Sequence, residues 1–236
     1  MWKALAVGIF AGTVLVVTVG LLALPCVLMG LFDRSGGASN VVIRFWSRLL
    51  LRIGGIRVRT LDEQLIPAGP VVFAANHASA LDIPVLFATL PEFRIIYKRS
   101  LALIPCVGWA LWAGRHIAID RANPFRARRS LDAAARRVHD GTSVVVFPEG
   151  TRATGGEILP FKRGSFLLAI QAGVPIVPVS LVGVKLRLPR GLASLTPGEV
   201  TLRVHAPVET RGRAPESAGE LAEDVRGIVT RGLQGP

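Results

Sequence analysis

The chain has 236 residues, half of them hydrophobic, and a formal net charge of +12 in which Arg far outnumbers Lys. Its mean hydropathy of +0.47 is high for a soluble enzyme, and its length suits one catalytic domain with an appendage. A basic surface suits nucleic acid, anionic lipid or a phosphorylated substrate. The sequence contains no zinc finger, aromatic RNA-binding platform or basic zipper, so composition favours anionic lipid over nucleic acid.

The chain contains only two cysteines, Cys26 in an apolar run and Cys106 beside Pro105. Two cysteines make no disulfide framework, and their spacing fits no metal site. We interpret both as free thiols in apolar surroundings, which suits a reducing compartment.

The first long feature is an uncharged run, Ala4–Phe32. As a helix, these 29 residues would extend about 43 Å at ~1.5 Å per residue, whereas the hydrocarbon core of a bilayer is about 30 Å thick. The run therefore predicts a membrane helix that spans with tilt or, because Pro25 can kink it, enters one leaflet only. A cleaved signal peptide is the alternative, which the length of the run disfavours. Basic residues are concentrated after Phe32, and this bias places the rest of the chain on the cytoplasmic face of the inner membrane.

Ser39–Ile53 has the pattern of an amphipathic helix. Arg44, Arg48 and Arg52 lie four apart on one face, and apolar residues recur on another at spacings of three and four. The apolar positions are Val42, Phe45, Trp46, Leu49, Leu50 and Ile53. This combination is typical of a helix in an anionic membrane interface, and the alternative is a helix packed on the catalytic domain. We predict membrane-binding helices over residues 1–54 and a catalytic domain over residues 55–236.

From Val71 onward, short apolar runs alternate with helix-like stretches. The predicted strands are Val71–Ala75, Arg94–Tyr97, His116–Ile119, Ser143–Phe147, Pro175–Val179 and Val200–Val204. The predicted helices are Pro124–Asp140, Arg163–Ala172 and a closing helix over Pro215–Leu233. Apolar strands that alternate with helices predict an α/β domain with a mostly parallel sheet flanked by helices.

His77 and Asp82 follow the predicted strand Val71–Ala75 and so lie at its carboxyl end, where open α/β sheets bind ligands. Histidine is well suited to proton transfer near neutral pH, and a nearby aspartate can fix its tautomer and stabilise the imidazolium. The two residues are five positions apart, which is a poor same-face spacing on a regular helix. The alternative makes Asp82 a helix N-cap before Ile83-Pro84 and His77 a loop residue.

A second polar cluster, Phe147–Arg152, has the sequence Phe-Pro-Glu-Gly-Thr-Arg and directly follows a predicted strand. Glycine permits close backbone approach, exposed amides can hold an anion, and Arg152 can grip a phosphate with two parallel hydrogen bonds. Glu149 is unsuited to phosphate, so we expect it to orient Arg152 or to contact a hydroxyl. The alternative is an ordinary turn with a surface ion pair.

Two weaker signals complete the pattern. Asp120-Arg121 follows the predicted strand His116–Ile119, although charged pairs are common at strand ends. Val174–Ser180 contains two prolines, which by themselves predict an edge strand or a bulge.

Together and in this order, the four motifs resemble the glycerolipid acyltransferase family, and within it the enzymes that act on 1-acyl-glycerol 3-phosphate. The resemblance covers roughly Val71 to Ser180. Neighbouring phrases are similar too, namely Tyr97-Lys98, Ile104-Pro105, Gly108-Trp109 and Pro160–Gly164. One departure is Ala153, because many relatives carry Ser after the Glu-Gly-Thr-Arg motif, and this loosens any inference about the exact acceptor.

The resemblance implies an α/β acyltransferase domain behind a membrane-binding element, with His77 as the base and Asp82 as its support. It assigns the acceptor's phosphate and glycerol to Lys98, Arg121, Glu149, Gly150, Thr151 and Arg152. The substrates would be a lysophospholipid and an acyl thioester of coenzyme A or acyl carrier protein, and the product phosphatidic acid. The implied chemistry requires no metal or further cofactor, and anionic membrane lipid is an expected partner.

Other functions fit parts of the same pattern. The acceptor can be glycerol 3-phosphate, a lyso-ornithine lipid or another lysophospholipid, and water as the acceptor would make the chain a thioesterase. A non-catalytic, membrane-anchored lipid-binding protein is the alternative from a different class. It predicts a broken His-Asp or Glu-Gly-Thr-Arg set, and both sets are intact in the sequence.

Overall fold

Seven strands alternate with helices along the described chain. A computed structural model of the protein describes residue 20 and residues 23–120, 123–153, 157–189 and 195–234. The strands are β1 (Ile56–Leu61), β2 (Val72–Ala75), β3 (Arg94–Lys98), β4 (Ile117–Ile119), β5 (Val144–Val146), β6 (Ile176–Val182) and β7 (Gly198–Val204). The helices are α1 (Gly37–Ile53), α2 (Asp82–Thr89), α3 (Val107–Ala113), α4 (Pro124–His139), α5 (Gly164–Ala172), α6 (Val184–Arg187) and α7 (Ala218–Leu233), and residues 23–32 are also helical.

One sheet carries the strands in the order β1-β7-β6-β2-β5-β3-β4. Every neighbouring pair is parallel except β6 with β7. The predicted α/β fold with a mostly parallel sheet is thereby confirmed. Because β2, β5, β3 and β4 are parallel neighbours, the motifs that follow them come to the same edge of the sheet.

Apolar side chains form a core on each face of the sheet. On one face, residues such as Phe73 and Val145 pack with residues of α1 and α2. On the other, Val72 and Val144 pack with residues of α4, α5 and α7. Strand β2 is buried at every position, as a central parallel strand covered by helices on both sides requires. The domain is therefore a three-layer helix–sheet–helix structure.

The predicted helices are confirmed as α4, α5 and α7, although the first three residues of the closing helix form a 3-10 turn, Pro215–Ser217. The sequence pattern does not predict β1, α2 or α3. Strand β1 pairs only with β7, and in it Ile56 is buried whereas Arg57 and Arg59 are exposed. An edge strand of this kind needs only one apolar face, so it lacks the continuous apolar run that marks the central strands.

The edge-strand interpretation of Val174–Ser180 is wrong, because β6 lies inside the sheet between β2 and β7. A bulge is present, since three steps along β6 are matched by four along the opposing chain. Pro178 sits in this irregular stretch, where its lack of an N–H is tolerated. The pairs on either side are Val179 with Val204 and Ile176 with Val208.

Helix α1 confirms the predicted amphipathic helix and packs on α2. Arg44 donates from Nη1 to the carbonyl oxygens of Phe87 at 3.0 Å and Leu90 at 2.7 Å, and Arg48 donates to that of Ala88 at 3.4 Å. These carbonyls lie in the last turn of α2 and at its C-cap, Leu90, where backbone carbonyls have no partners within the helix. Arg44 is therefore a capping residue of the fold, and for this face of α1 the packed-helix interpretation holds.

Most of the predicted membrane helix Ala4–Phe32 lies outside the described residues, and its last part, residues 23–32, is helical. None of the helices within the described ranges combines the length and apolar character needed to cross a bilayer. Spanning or entry by Ala4–Phe32 therefore stays a prediction, as does the division of the chain after residue 54.

Candidate active site

Polar side chains gather at the carboxyl edge of the sheet, as the order of the strands requires. His77 comes after β2, Glu149 after β5 and Asp120 after β4, and Lys98 is the last residue of β3. These strand ends lie side by side because the four strands are parallel neighbours. The edge therefore brings together a histidine, carboxylates and a cation from distant parts of the sequence.

His77 and Asp82 are in direct contact. Nδ1 of His77 lies 2.7 Å from Oδ2 of Asp82, and the two side chains are 16% and 0% exposed. The same oxygen accepts the backbone N–H groups of Ala78 at 2.8 Å and Ser79 at 2.9 Å. Asp82 is the first residue of α2 and Leu81 is its N-cap, so the carboxylate turns back over the loop that carries His77. The interpretation of Asp82 as a simple N-cap is wrong.

The surroundings of the imidazole fix its tautomer and its orientation. A carboxylate only accepts hydrogen bonds, so in the neutral imidazole of His77 the proton is assigned to Nδ1 and Nε2 keeps its lone pair. The ring also stacks on Phe147, with centroids 4.1 Å apart and an interplanar angle of 23°. Oδ1 of Asp82 is buried and has no hydrogen-bond partner among the described residues. A histidine held in this way can act as a general base whose protonated form the carboxylate stabilises.

Glu149 is 2% exposed and ties separate loops together. Its Oε1 accepts the backbone N–H of His77 at 2.6 Å, and its Oε2 accepts that of Leu159 at 3.0 Å. Burial raises the pKa of Glu149, and these two amides oppose the shift. Both oxygens are thus engaged by backbone amides, so the structure places Glu149 against the His77 loop rather than against Arg152.

Three other predicted site residues at this edge are exposed, namely Lys98, Thr151 and Arg152. Gly150 has φ 76°, a left-handed conformation that glycine adopts without strain, and its N–H donates to the carbonyl oxygen of Phe147 at 3.0 Å. The resulting tight turn holds Thr151 and Arg152 out from the end of β5. An exposed cation at this position is accessible to a phosphate from solvent or from a membrane surface.

Arg121, the remaining predicted site residue, lies outside the described residues. Its neighbour Asp120 follows β4, and its carboxylate lies 3.5 Å from the guanidinium of Arg126 on α4. The predicted role of Arg121 stays a prediction.

Side chains that the sequence did not single out hold the His77 loop in place. Asn76 exchanges two hydrogen bonds with the backbone of Leu181, at 3.2 Å and 2.7 Å, and so extends the pairing of β2 with β6 beyond the end of β2. The hydroxyl of Ser79 donates to the carbonyl of Leu188 at 3.0 Å. The sequence signal that could have found these two residues is their polar character, close to His77 and directly after an apolar strand.

A cavity of about 170 Å³ borders His77, and its wall includes Glu149, Gly183 and Lys185. The ammonium of Lys185 lies 3.4 Å from the carbonyl oxygen of Ala153, and the N–H of Ala153 donates to the carbonyl of His77 at 2.9 Å. Ala153 therefore takes part in the site through its backbone. Lys185 ends up here because β6 runs parallel to β2.

The site lies within a stretch that matches a known family. A family model described as Acyltransferase matches residues 56–182, more than half of the chain. The chain belongs to this acyltransferase family. The match covers β1 to β6 and includes His77, Asp82 and the loop Phe147–Arg152. The expected family is thereby confirmed.

Two similar proteins are both named 1-acyl-sn-glycerol-3-phosphate acyltransferases. The chain is 36% identical over 168 residues to a 1-acyl-sn-glycerol-3-phosphate acyltransferase of Chlamydomonas reinhardtii, covering 71% of this chain and 49% of that protein. It is 37% identical over 175 residues to 1-acyl-sn-glycerol-3-phosphate acyltransferase alpha of Homo sapiens, covering 73% of this chain and 62% of the human protein. The chain thus spans less than two thirds of the length of these curated relatives.

A solved structure is similar over nearly the whole length of both chains. The crystal structure of the 1-acyl-sn-glycerophosphate (LPA) acyltransferase PlsC from Thermotoga maritima superposes with a TM-score of 0.81 at 29% sequence identity, covering 98% of this chain and 95% of that one. The likeness supports the same α/β architecture for both proteins.

Proposed function

We propose that the chain transfers an acyl group from an acyl-CoA or acyl carrier protein thioester to the free hydroxyl of 1-acyl-glycerol 3-phosphate, giving phosphatidic acid. The observation that carries the proposal is the contact of 2.7 Å between His77 and Asp82 at the carboxyl edge of the sheet. Similarity to proteins named 1-acyl-sn-glycerol-3-phosphate acyltransferases supports this choice of acceptor.

In the proposed reaction, Nε2 of His77 removes the proton from the acceptor's hydroxyl. The hydroxyl oxygen attacks the thioester carbonyl carbon, and the tetrahedral intermediate collapses with cleavage of the C–S bond. The leaving thiolate takes the proton from the imidazolium, so His77 returns to its neutral form. General base catalysis typically contributes about 10²- to 10⁴-fold, and holding both substrates in register lowers the barrier further. No metal, further cofactor or acyl-enzyme intermediate takes part in this scheme.

The phosphate of the acceptor is proposed to bind the cations at the same edge. Arg152 is exposed on the turn after β5, Lys98 is exposed at the end of β3, and Arg121 follows β4 in the sequence. A guanidinium can bind a phosphate through two parallel hydrogen bonds, and the N–H of Thr151, next to the turn at Gly150, adds a donor. Glu149 then serves the acceptor indirectly, by positioning the loop that carries His77.

An apolar cavity supports a lipid as one of the substrates. Its volume is about 210 Å³, and it lies between the helical residues 23–32, α1, α2 and α3. Ile83 and Phe87 line it from α2, the helix that begins with Asp82. Transfer of an acyl chain into such a cavity is favourable because apolar surface leaves water.

We further propose that the domain works at the cytoplasmic face of the inner membrane. Only Lys3 precedes the uncharged run Ala4–Phe32, whereas Arg34 and further arginines follow it. This asymmetry supports a cytoplasmic position for the residues after Phe32. An acceptor and a product that both reside in the bilayer give the membrane-binding element a purpose.

The test compares His77→Ala with His139→Ala, a substitution of an exposed histidine on α4. Acyl transfer is measured with acyl-CoA and acyl carrier protein donors against 1-acyl-glycerol 3-phosphate, glycerol 3-phosphate and a lyso-ornithine lipid. We expect His77→Ala to remain folded and lose at least about 10²-fold in rate, with His139→Ala unchanged. Retained activity in His77→Ala would exclude it as the base.

The same assay separates the remaining functions. Preference for another acceptor would change the substrate but keep the chemistry. Release of thiol without any acceptor would indicate a thioesterase. Lipid binding without turnover for every pair of donor and acceptor would indicate a binding protein.

A further inference from the structure

An exposed apolar segment lies on the catalytic domain between β3 and β4. Residues 98–105 are exposed without interruption, and no charged residue occurs from Ser100 to Gly114. The large apolar side chains in this segment are 38–84% exposed; they are Leu101, Leu103, Ile104, Val107, Trp109 and Trp112, and we refer to them as the apolar cluster. Folded monomers rarely leave a contiguous apolar patch in water, so the apolar cluster calls for a partner.

The segment has a defined shape. The N–H of Val107 donates to the carbonyl of Pro105, and that of Gly108 donates to the carbonyl of Ile104, both at 2.7 Å. A Cβ on Gly108 would overlap the carbonyl of Ala102, so glycine lets the 3-10 turn Arg99–Leu103 pack closely on α3. The apolar cluster is therefore presented on a folded platform.

The apolar cluster continues into the N-terminal part of the chain. Gly30 packs against Ala113, which places the helical residues 23–32 beside α3. The exposed side chains of this helix are also apolar, and they are Leu24, Leu28, Met29, Leu31 and Phe32 at 42–88% exposure. The two segments thus adjoin, and one of them leads directly into the uncharged run predicted to enter a membrane.

Charge at the borders of the apolar cluster indicates which partner fits. Lys98 and Arg99 stand before it, and Arg115 stands after it with its guanidinium 5.4 Å from the ring centroid of Trp112. No acidic residue occurs between Lys98 and Asp120. Tryptophan with flanking cations is typical of the membrane interface, where the rings sit at headgroup depth and the cations meet anionic lipid. A second copy of a chain with net charge +12 would instead bring like charges together.

We propose that the segment Leu101–Trp112 is a second membrane-inserting element, which seats the domain on an anionic bilayer. Lys98 lies at the carboxyl edge of the sheet, the edge that also carries His77, and the segment begins three residues later. Insertion therefore brings this edge next to the lipid headgroups. The purpose of this element rests on the proposed function, but the membrane binding that we predict for it requires no turnover.

The test uses the full chain with a single tryptophan. Trp2, Trp46 and Trp112 are replaced by Phe to leave Trp109. In a second, reference protein all four tryptophans are replaced by Phe and Leu65→Trp is added after β1, at the opposite edge of the sheet. Each is mixed with vesicles of phosphatidylcholine and phosphatidylglycerol whose acyl chains carry bromine, which quenches nearby tryptophan. We expect the emission of Trp109 to shift to shorter wavelength and to be quenched more strongly than that of the Leu65→Trp protein. The proposal would be overturned if the protein binds the vesicles and Trp109 keeps the emission wavelength that it has without them.

A binding measurement complements the spectroscopy. The double variant Leu103→Ser/Trp109→Ser should bind these vesicles about tenfold more weakly, because two exposed apolar side chains no longer enter the bilayer. Leu65→Ser is the matched control, since Leu65 is 38% exposed after β1, whose carboxyl end lies at the opposite edge of the sheet, and it should bind as the unmodified chain does. Equal thermal unfolding of the variants shows that the fold is retained, and equal vesicle binding of the double variant would refute the element.

Two further outcomes identify a different partner. A shift of Trp109 emission that depends on protein concentration without vesicles would indicate a second copy of the chain. A shift produced by an acidic acyl carrier protein but not by vesicles would indicate a protein partner. Either result overturns the membrane element, and neither depends on acyl transfer.

Discussion

Glu149→Gln is the sharpest perturbation of the site, because it changes one atom of a buried group while preserving its shape. In the folded protein, both carboxylate oxygens accept backbone N–H groups, from His77 at 2.6 Å and from Leu159 at 3.0 Å. An amide has only one oxygen, so the NH₂ group of the glutamine would face a backbone N–H, and neither of these two donors would have an acceptor. The loss of a hydrogen bond and a buried unsatisfied donor should cost about 1–3 kcal/mol of stability. A chain of this size should then lose about 2–4 °C in melting temperature per kcal/mol.

The assay combines thermal unfolding with steady-state kinetics of acyl transfer. Glu149→Gln should lower the melting temperature and kcat, because one of the two N–H groups that the carboxylate accepts belongs to His77 itself. Arg152→Ala should leave the melting temperature unchanged, since Arg152 is exposed, and should raise KM for the phosphate-bearing acceptor. A Glu149→Gln protein of normal stability with only a raised KM would show that Glu149 binds the acceptor and does not position the histidine.

Other substitutions test the surroundings of the site. Asp82→Asn should reduce kcat by at least about 10²-fold with KM nearly unchanged, as rate measurements over substrate concentration will show. Burial, followed by nearby arginines, lowers the pKa of His116 from 6.5 to about 3. The unfolded chain therefore binds the proton more readily than the folded one. The contribution of His116 to the free energy of unfolding is thus full above pH 6.5 and falls on acidification, by about 2 kcal/mol at pH 5. His116→Gln should flatten this pH dependence in denaturant titrations. Gly232→Ala should cost about 1–3 kcal/mol, because its Cβ would overlap the hydroxyl of Ser180, whereas Gly219→Ala on the same helix meets nothing and should not destabilise.

The parts of the fold that could be read from the sequence are those in which local pattern and tertiary structure agree. Strands such as β2 and β5 are buried on both faces, so their apolar runs identify them directly. Helix α4 begins with Pro124 after an Asn123 side chain that accepts the N–H of Arg126. Given parallel strands, the position of His77 and of Phe147–Arg152 at one edge followed without further information.

The parts that escaped prediction depend on partners far away in the sequence. Glu149 reads as a polar loop residue, and its role is set by the amide of a residue 72 positions earlier. Arg44 reads as one of a surface stripe, yet it caps a helix more than 40 positions later. Pro178 reads as an edge marker, and the bulge that accommodates it is made by the chain after β7. In each case, the deciding contact leaves no trace in the local pattern.

The five-position spacing of His77 and Asp82 shows why a local geometric rule failed while the motif itself was sound. The spacing would separate the two side chains on a continuous helix, but only Asp82 is helical. It stands in the first turn of α2, where the partial positive charge of the helix start favours a carboxylate, and its Oδ2 accepts two loop amides besides the imidazole. These interactions stabilise a negative charge that burial alone would oppose. The junction of loop and helix thus supplies both the geometry and the charge that a general base needs, which explains why five positions suit the chemistry here.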